Sequence, residues 1–381
     1  MKKTFFLFIL LFFISLSCPA FCREIKIGLL ISKESEVISS SGPAILINQY
    51  TNKEIINVGK NQSIRIKNLN GIIQLFDTTL NIPIGAFKGP IKFTSENHSA
   101  LVNCKNNWYR GELLITTNNN TETLTVINNI DLEDYLLSVV PSEIPSSWNK
   151  EALKAQAIAA RSYSLGYLGR RGEKGYDLES TVEDQVYLGV KAEKKSTTQA
   201  VNDTKGVILL DNENRPLIAL YHSSGGGYTD SIENLWEKEP SPHIQPRPDF
   251  DDNSPYFTWH KSYKISEFNM LFSNLDIGEI TNISPLSRSI SNRVTKLELI
   301  GVRGKEILRG EDFRRLLGLP SSKFNISIEN QLVKFSGRGF GHGLGMSQWG
   351  AKALAEKGLD HTQILAHYYT GAKLVKMIND Y

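Results

Sequence analysis

The stretch that decides the fold runs from Asp131 to Leu168: "DLEDYLLSVVPSEIPSSWNKEALKAQAIAARSYSLGYL". Apolar residues at helical spacing follow Asp131, which is well suited to cap a first helix, and we expect Pro141 to end that helix. A second, alanine-rich helix is predicted from about Asn149 to Leu168. Glu143 is thus expected to lie in a tight corner between two helices.

A single carboxylate occupies that corner, because Glu143 stands between Pro141 and Pro145 with apolar residues close by. Partial burial would disfavour its charged form and raise its pKa from about 4.3 towards the range of about 6 to 7 that suits a general acid. The alternative is that Glu143 only caps the following helix or pairs with a lysine. The local sequence leaves both interpretations open.

The sequence before this corner alternates in the manner of β-strands, from about Glu24 to Asn129. "YRGELLITTNNNTETLTVINNI" predicts a hairpin with the Asn run as its turn, and "GVILLDNENRPLIALYHSSGGGYTD" predicts a second one. Between the second hairpin and a mixed region from about Thr258 to Lys334, "EPSPHIQPRPDFDDNSPY" indicates an extended surface loop. The predicted fold class is therefore α+β, a β-rich N-terminal region followed by a mixed domain with a central helix and several hairpins.

The composition is that of a soluble globular protein, with 381 residues, 40% hydrophobic and 22% charged. This length suggests two or three domains. The 43 basic and 40 acidic side chains nearly cancel to a formal charge of +3, so nucleic acid is not an implied partner.

The N-terminus has the features of a secretory signal peptide. Lys2 and Lys3 precede an apolar run, and cleavage is expected near Cys22 and Arg23. The run is short for a membrane span of about 20 residues, although an uncleaved anchor remains the alternative. The predicted segments are a signal peptide (1–22), a β-rich region (23–100) and a catalytic domain (101–381). After cleavage only Cys104 would remain, which excludes an internal disulfide and cysteine-based zinc sites.

Two glycine-rich segments carry further candidate functional residues. "GRGFGHGLGMSQWGA" surrounds His342 with six glycines, and this density allows a backbone to approach a ligand closely. "HSSGGGYTD" begins at His222, but it has no G-x-S-x-G elbow, so a serine hydrolase is disfavoured. Its hydroxyls and amides can instead bind a polar ligand. A packed structural turn is the alternative for both segments.

Five stretches, taken together, resemble the SpoIID/LytB family of cell-wall proteins. They are "YLLSVVPSEIPSSWNKEALKAQAIAARSYSL", "YDLESTVEDQVYLGV", "IALYHSSGGGYTDS", "GEDFRRLLGL" and "GRGFGHGLGMSQWGAKALAEKG…ILAHYYTG". They occur in the family's order and cover roughly Asn103 to Lys373. The β-rich segment before them is an extra domain or the family's variable N-terminal part.

The resemblance implies an exported lytic transglycosylase that cleaves peptidoglycan glycan strands, typically strands already stripped of stem peptides. The family's catalytic glutamate lies in a Ser-Glu-hydrophobic-Pro motif, which falls on Glu143. The resemblance also implies residues around the substrate cleft, which are Gln156, Arg161, Gln185, Tyr187, His222, Ser223, Ser224, Gly225, His342, Ser347 and Gln348. No cofactor is implied.

One position departs from some relatives, which carry a zinc-binding cysteine just before the Gln of the Q-x-Y motif. Here Asp184 stands at that position, and "YDLESTVEDQVY" contains neither Cys nor His. A metal is therefore not expected, and packing or hydrogen bonds must supply the stiffness that zinc would give.

A second function remains open, namely a peptidoglycan-binding or amidase-enhancing module that uses the same cleft without turnover. The expected partners are glycan strands and an N-acetylmuramoyl-L-alanine amidase or another wall-remodelling protein. The expected location is the periplasm or cell envelope. The sequence does not choose between sporulation, cell division and general wall turnover.

Overall fold

The structure, a computed structural model, describes residues 23–95, 100–118 and 121–377. Its N-terminal third is built of β-strands, as the alternating pattern predicts. These are β1 (Glu24–Lys33), β2 (Ser35–Ser40), β3 (Ala44–Asn48), β4 (Lys53–Val58), β5 (Ser63–Leu69), β6 (Ile72–Asp77), β7 (Ile82–Lys88), β8 (Ile91–Ser95), β9 (Val102–Cys104), β10 (Asn107–Tyr109), β11 (Glu112–Asn118) and β12 (Thr123–Asp131). β11 and β12 pair antiparallel, which confirms the first predicted hairpin. The predicted signal peptide lies outside the described residues.

The strands form two sheets, in the orders β1-β12-β11-β8-β3-β4 and β10-β9-β2-β5-β6-β7. The first sheet contains strands from both sides of the predicted domain boundary at residue 100. Buried side chains of both sheets, such as Ile38 and Phe93, belong to one hydrophobic cluster with those of the following helices. The boundary therefore does not coincide with a break in the hydrophobic core.

Two helices follow, α1 (Leu132–Glu143) and α2 (Lys150–Gly166). Asp131 caps α1, and Asn149 caps α2 by accepting a hydrogen bond from the Glu151 backbone. The expectation that Pro141 ends α1 was wrong, because the helix continues through it to Glu143. Proline removes one backbone donor but keeps a helical φ, so two further residues fit into the last turn.

The chain then forms short elements around α2. They are β13 (Leu178–Glu179), α3 (Lys195–Asp203), β14 (Val207–Leu210), β15 (Tyr221–His222) and α4 (Ile232–Trp236). β13 extends the first sheet by pairing parallel with β1. Packing of α2 against β14 and α3 makes it the central helix.

A second hydrophobic core lies in the next segment. Its elements are β16 (Thr258–Lys264), α5 (Ile265–Leu271), β17 (Ile280–Arg288), β18 (Val294–Gly301), β19 (Gly304–Arg309), α6 (Gly310–Leu316), β20 (Phe324–Glu329) and β21 (Leu332–Arg338). They form two three-stranded sheets, β16-β21-β20 and β17-β18-β19. Their buried aromatic rings, including Phe268, Phe313 and Phe335, pack together in a cluster separate from the main one.

The chain returns to the main core through β22 (Met346–Ser347), α7 (Gln348–Glu356), α8 (His361–Tyr368) and β23 (Lys373–Lys376). The arrangement as a whole confirms the α+β class. Among the described residues, no helix is both long enough and apolar enough to cross a membrane.

The second predicted hairpin forms over a few residues: the Asp211 N–H donates to the Arg215 carbonyl, the Leu217 N–H donates to the Leu209 carbonyl, and Leu210 bridges to Pro216. β14 also pairs with the C-terminal strand β23.

The proline-rich segment is irregular, as predicted, but it is not simply a surface loop. His243, Ile244 and Asp251 are buried, because this segment packs under the glycine-rich chain that follows β15.

Candidate active site

The backbone places Glu143 at the very end of α1. Ile144 is extended, with φ −134° and ψ 151°, as expected for a residue before proline. Pro145 therefore stops the helix one residue after Glu143 and turns the chain away. Glu143 is half-buried and lines a cleft of about 1060 Å³ between the main core and the second core.

The Glu143 carboxyl is desolvated and has no ion-pair partner among the described residues. Its Oε1 accepts a hydrogen bond from the Val186 N–H at 2.8 Å. Burial raises the pKa of Glu143 from 4.5 to about 7, against the opposing effect of hydrogen bonds from Val186, Gln348 and Tyr221. A carboxyl with this pKa is protonated in a large fraction of molecules near neutral pH, as a general acid requires.

A chain of hydrogen bonds orients the Tyr221 hydroxyl. The Gln185 Oε1 accepts from the hydroxyls of Tyr135 and Ser164. Its Nε2 donates to the Ala160 carbonyl and, at 2.9 Å, to the Tyr221 hydroxyl oxygen. Because Tyr221 already accepts this bond, its own proton is directed to another acceptor, and the neighbouring Glu143 carboxyl fills that role.

Both predicted histidines lie at the cleft and are neutral. The His222 Nδ1 donates to the Leu344 carbonyl, whereas the His342 Nδ1 accepts from the Leu344 N–H. Burial, reinforced by Arg293, lowers the pKa of His222 to about 3, and burial next to His222 lowers the pKa of His342. The buried His222 Nε2 has no partner within the described residues, so it is available as a hydrogen-bond acceptor.

Five of the predicted site residues line the same cleft, namely Glu143, His222, Ser223, His342 and Gln348. The other seven lie behind its wall, and they are Gln156, Arg161, Gln185, Tyr187, Ser224, Gly225 and Ser347. Most of their polar groups are engaged with other parts of the protein, although the Gln156 Nε2 has no partner among the described residues. Substrate contact by these residues stays a prediction.

Residues on α2 and after it support the wall in specific ways. Arg161 is fully buried and forms a bidentate ion pair with Glu133. The Gln156 Oε1 accepts from Gln348 at 3.4 Å, which links α2 to a cleft residue. The Tyr187 hydroxyl donates to the Asn128 Oδ1 at 2.8 Å.

Two aspartates of the proline-rich segment hold the chain after His222. Asp251 accepts hydrogen bonds from the Ser224 hydroxyl and the Gly226 N–H. Asp249 accepts from the Gly225 N–H and the Tyr368 hydroxyl. Burial, reinforced by Asp251, raises the pKa of Asp249 to about 7, although its carboxyl does not line the cleft.

Ser347 lies on β22, the strand that pairs with β15. It caps α7 by accepting the Gly350 N–H, and β15 and β22 pair so that His222 lies beside Ser347. The parallel bridge joins the two glycine-rich segments that the sequence singled out separately.

Asp184, at the position of the zinc ligand in some relatives, is an electrostatic cross-link. Its fully buried carboxylate pairs with Arg170 and Arg171 and accepts the Glu179 N–H. These bonds can supply the local stiffness for which a metal is used elsewhere. Within residues 23–95, 100–118 and 121–377, no cluster of three or more His, Cys, Asp or Glu is arranged to hold a metal ion.

Sequence reasoning missed the aromatic walls of the cleft and Tyr221. Trp148 and Trp349 meet edge to face, with ring centroids 5.0 Å apart, and the Trp236 ring lies 5.6 Å from that of His342. Trp148 and Trp349 lie within stretches that were already singled out, so the aromatic residues of those stretches were the available signal.

Two protein-family models match parts of this chain. The SpoIID family (stage II sporulation protein) matches residues 120–210, and a domain of unknown function, DUF8618, matches residues 243–345. The chain is 30% identical to an uncharacterized protein of Brachyspira hyodysenteriae, over 94% of this chain and 95% of that protein.

Two further relatives have descriptive names. The stage II sporulation protein D of Bacillus amyloliquefaciens is 33% identical, over 65% of this chain and 75% of that protein. The amidase enhancer of Bacillus subtilis is 28% identical, over 63% of this chain but 40% of its own length. The segment with Glu143, the order of the motifs and these relatives agree, and the chain belongs to the SpoIID family.

Proposed function

We propose that this protein is an exported lytic transglycosylase that cleaves the MurNAc-GlcNAc bond of peptidoglycan glycan strands, with strands that lack stem peptides as its substrate. The observation that carries the proposal is the half-buried Glu143 carboxyl, with a pKa of about 7, at the surface of a large cleft. Membership of a family whose named relatives include a sporulation protein and an amidase enhancer supports a role in the cell wall.

The other acids of the cleft are poorly suited to share the chemistry. Asp184 pairs with arginines, Glu311 pairs with Arg314, and Asp312 pairs with Arg309. Glu183 is exposed at the rim. A glycoside hydrolase generally needs two carboxyl groups, one as acid and one as base or nucleophile. The cleft therefore favours a reaction that needs only one carboxyl group.

In the proposed reaction, protonated Glu143 gives its proton to the glycosidic oxygen as the bond from that oxygen to C1 of the muramic acid breaks. The C6 hydroxyl oxygen of the same sugar then bonds to C1, and the Glu143 carboxylate takes up the hydroxyl proton. The products are a 1,6-anhydro end and a new free hydroxyl, and no water is consumed. The carboxyl returns to its starting protonation state, which is why one acid is sufficient.

Surrounding groups would position the sugar. Gln348 and Tyr221 hold the carboxyl, while Ser223, which lines the cleft, can bind a sugar hydroxyl. Because both histidines are neutral, they offer hydrogen bonds rather than charge. The residues behind the wall, such as Gln185, are assigned a positioning role.

Similarity to an amidase enhancer favours a second candidate, a glycan-binding module that recruits or activates an N-acetylmuramoyl-L-alanine amidase without turnover. Both candidates place the protein in the periplasm or cell envelope. They differ in whether the cleft produces new glycan ends.

The test is to incubate the wild-type protein and Glu143→Gln with peptide-free glycan strands and to analyse the soluble products by mass. We expect anhydro ends from the wild type and a loss of about two to four orders of magnitude in rate for Glu143→Gln, with binding retained. Glu54→Gln, which changes an exposed glutamate in the N-terminal sheet, is the matched control. Reducing ends would show a hydrolase, and binding without products would favour the module.

A further inference from the structure

A stacked pair of exposed aromatic rings lies in the cleft. Tyr256 and Phe340 have ring centroids 4.9 Å apart and planes inclined by 24°. They remain 45% and 41% exposed, respectively, although apolar rings of this size are usually covered. Both line the same cleft as Glu143.

The pair is held in place by its backbone. The Phe340 N–H donates to the Ser224 carbonyl at 2.8 Å, and the Ser224 N–H donates back to the Phe340 carbonyl at 3.0 Å. The Gly339 N–H donates to the Tyr256 carbonyl at 3.1 Å, which joins the two ring-bearing segments. The exposed ring surface is thus already formed without a ligand, so a ligand loses little free energy in ordering it.

The pair is separate from the reacting group. The groups that hydrogen-bond to the Glu143 carboxyl come from Val186, Tyr221 and Gln348, and none comes from residues 243–345. Phe340 is instead next to Gly341, whose backbone packs against His222. A ligand that covers both Glu143 and the ring pair must therefore extend past His222.

The chemistry of the cleft indicates what such a ligand is. Flat aromatic rings pack against the apolar face of a pyranose, while polar groups around them reach the hydroxyls at its edge. The same cleft is lined by His342 and by Arg314 and Arg315 of α6. This combination suits an extended, polar chain of sugar rings.

We propose that Tyr256 and Phe340 form a second sugar-binding subsite, which stacks on a pyranose of the same glycan strand at a distance from the bond being cleaved. The choice of a glycan rests on the proposed function. The inference also gives residues 243–345, matched only as a domain of unknown function, a role as one wall of the glycan cleft.

The test measures the binding of chitohexaose by calorimetry. The parent protein carries Glu143→Gln, and each ring substitution is combined with it. We expect about 10-fold weaker binding for Tyr256→Ala and for Phe340→Leu, as for the loss of a central aromatic contact. Tyr256→Phe keeps the ring and is expected to stay within about 2-fold, since stacking does not need the hydroxyl. Tyr50→Ala removes an exposed ring in the turn between β3 and β4 and is the matched control.

Thermal denaturation of each variant establishes that it is folded. Affinity within about 2-fold of the parent for both ring-removing variants would overturn the subsite, as would the absence of any binding to the parent. The proposed function is judged separately, by anhydro ends from the wild type. If those are absent while the ring variants lose binding, the transglycosylase is wrong and the subsite stands. If anhydro ends are present while the ring variants bind normally, the subsite is wrong and the transglycosylase stands.

Discussion

Glu143→Gln is expected to stabilise the folded protein at alkaline pH while it removes the proposed catalytic acid. Burial holds the pKa of Glu143 at about 7, against an ordinary value of 4.5. Each pKa unit corresponds to about 1.36 kcal/mol, so ionisation of this carboxyl costs the folded state about 3 kcal/mol. The amide of glutamine has nearly the same shape and no charge to desolvate.

The pH dependence follows from which state releases its proton first. Below pH 4.5 the carboxyl is protonated in both states, and its stabilising contribution is fully present. As the pH rises towards about 7 the unfolded chain loses its proton first, and that contribution is lost. The free energy of unfolding of Glu143→Gln minus that of the wild type should therefore rise by about 3 kcal/mol between about pH 4 and pH 8.

The assay is urea denaturation of both proteins at several pH values across this range. Asp249 also has a raised pKa, but it is present in both proteins, so its contribution cancels in the difference. The control Glu54→Gln replaces an exposed glutamate with the same amide and so measures the general effect of this substitution. Parallel curves for Glu143→Gln and the wild type would refute the reasoning, because they would show that the carboxyl is not desolvated.

Three further changes test the surroundings of the site. Tyr221→Phe removes a hydrogen bond that favours ionised Glu143, so the alkaline limb of the pH–rate profile should move upward by about one pH unit; an unmoved limb would exclude this contact. Asp184→Asn should lower the free energy of unfolding by about 2 kcal/mol in urea, because its buried charge neutralises arginines that are themselves partly exposed. Arg161→Met should destabilise by about 3 kcal/mol, and adding Glu133→Leu should restore most of this loss if the buried pair acts only in stability.

Local patterns predicted much of the secondary structure. Asp131 caps α1, the Asn-rich hairpin forms β11 and β12, and the alternating N-terminal segment is sheet, as expected. These features depend on neighbours within a few positions along the chain, which a sequence displays directly. The resemblance to the SpoIID family was confirmed for the same reason, since its motifs are short and contiguous.

Predictions that needed long-range partners were less successful. β14 pairs with β23, more than 150 residues away, and the local pattern predicted only its pairing with the chain that follows it. The proline-rich segment contributes Asp249 and Asp251 to the interior, although its composition is typical of a surface loop. Pro141 lies inside α1 because tertiary packing of the helix outweighs the loss of one hydrogen bond.

The sequence by itself determined the α+β class, the family and the position of one carboxylate between two prolines. Only the tertiary structure decided that this carboxyl has a raised pKa, because the pKa depends on burial and on the hydrogen-bond donors Val186, Tyr221 and Gln348. It also decided that Arg161 and Gln185 lie behind the cleft wall, whereas Tyr256 and Phe340 face the cleft. The burial of a group and the side of the wall on which a residue lies depend on residues that are distant in the sequence, so a local sequence pattern does not reveal them.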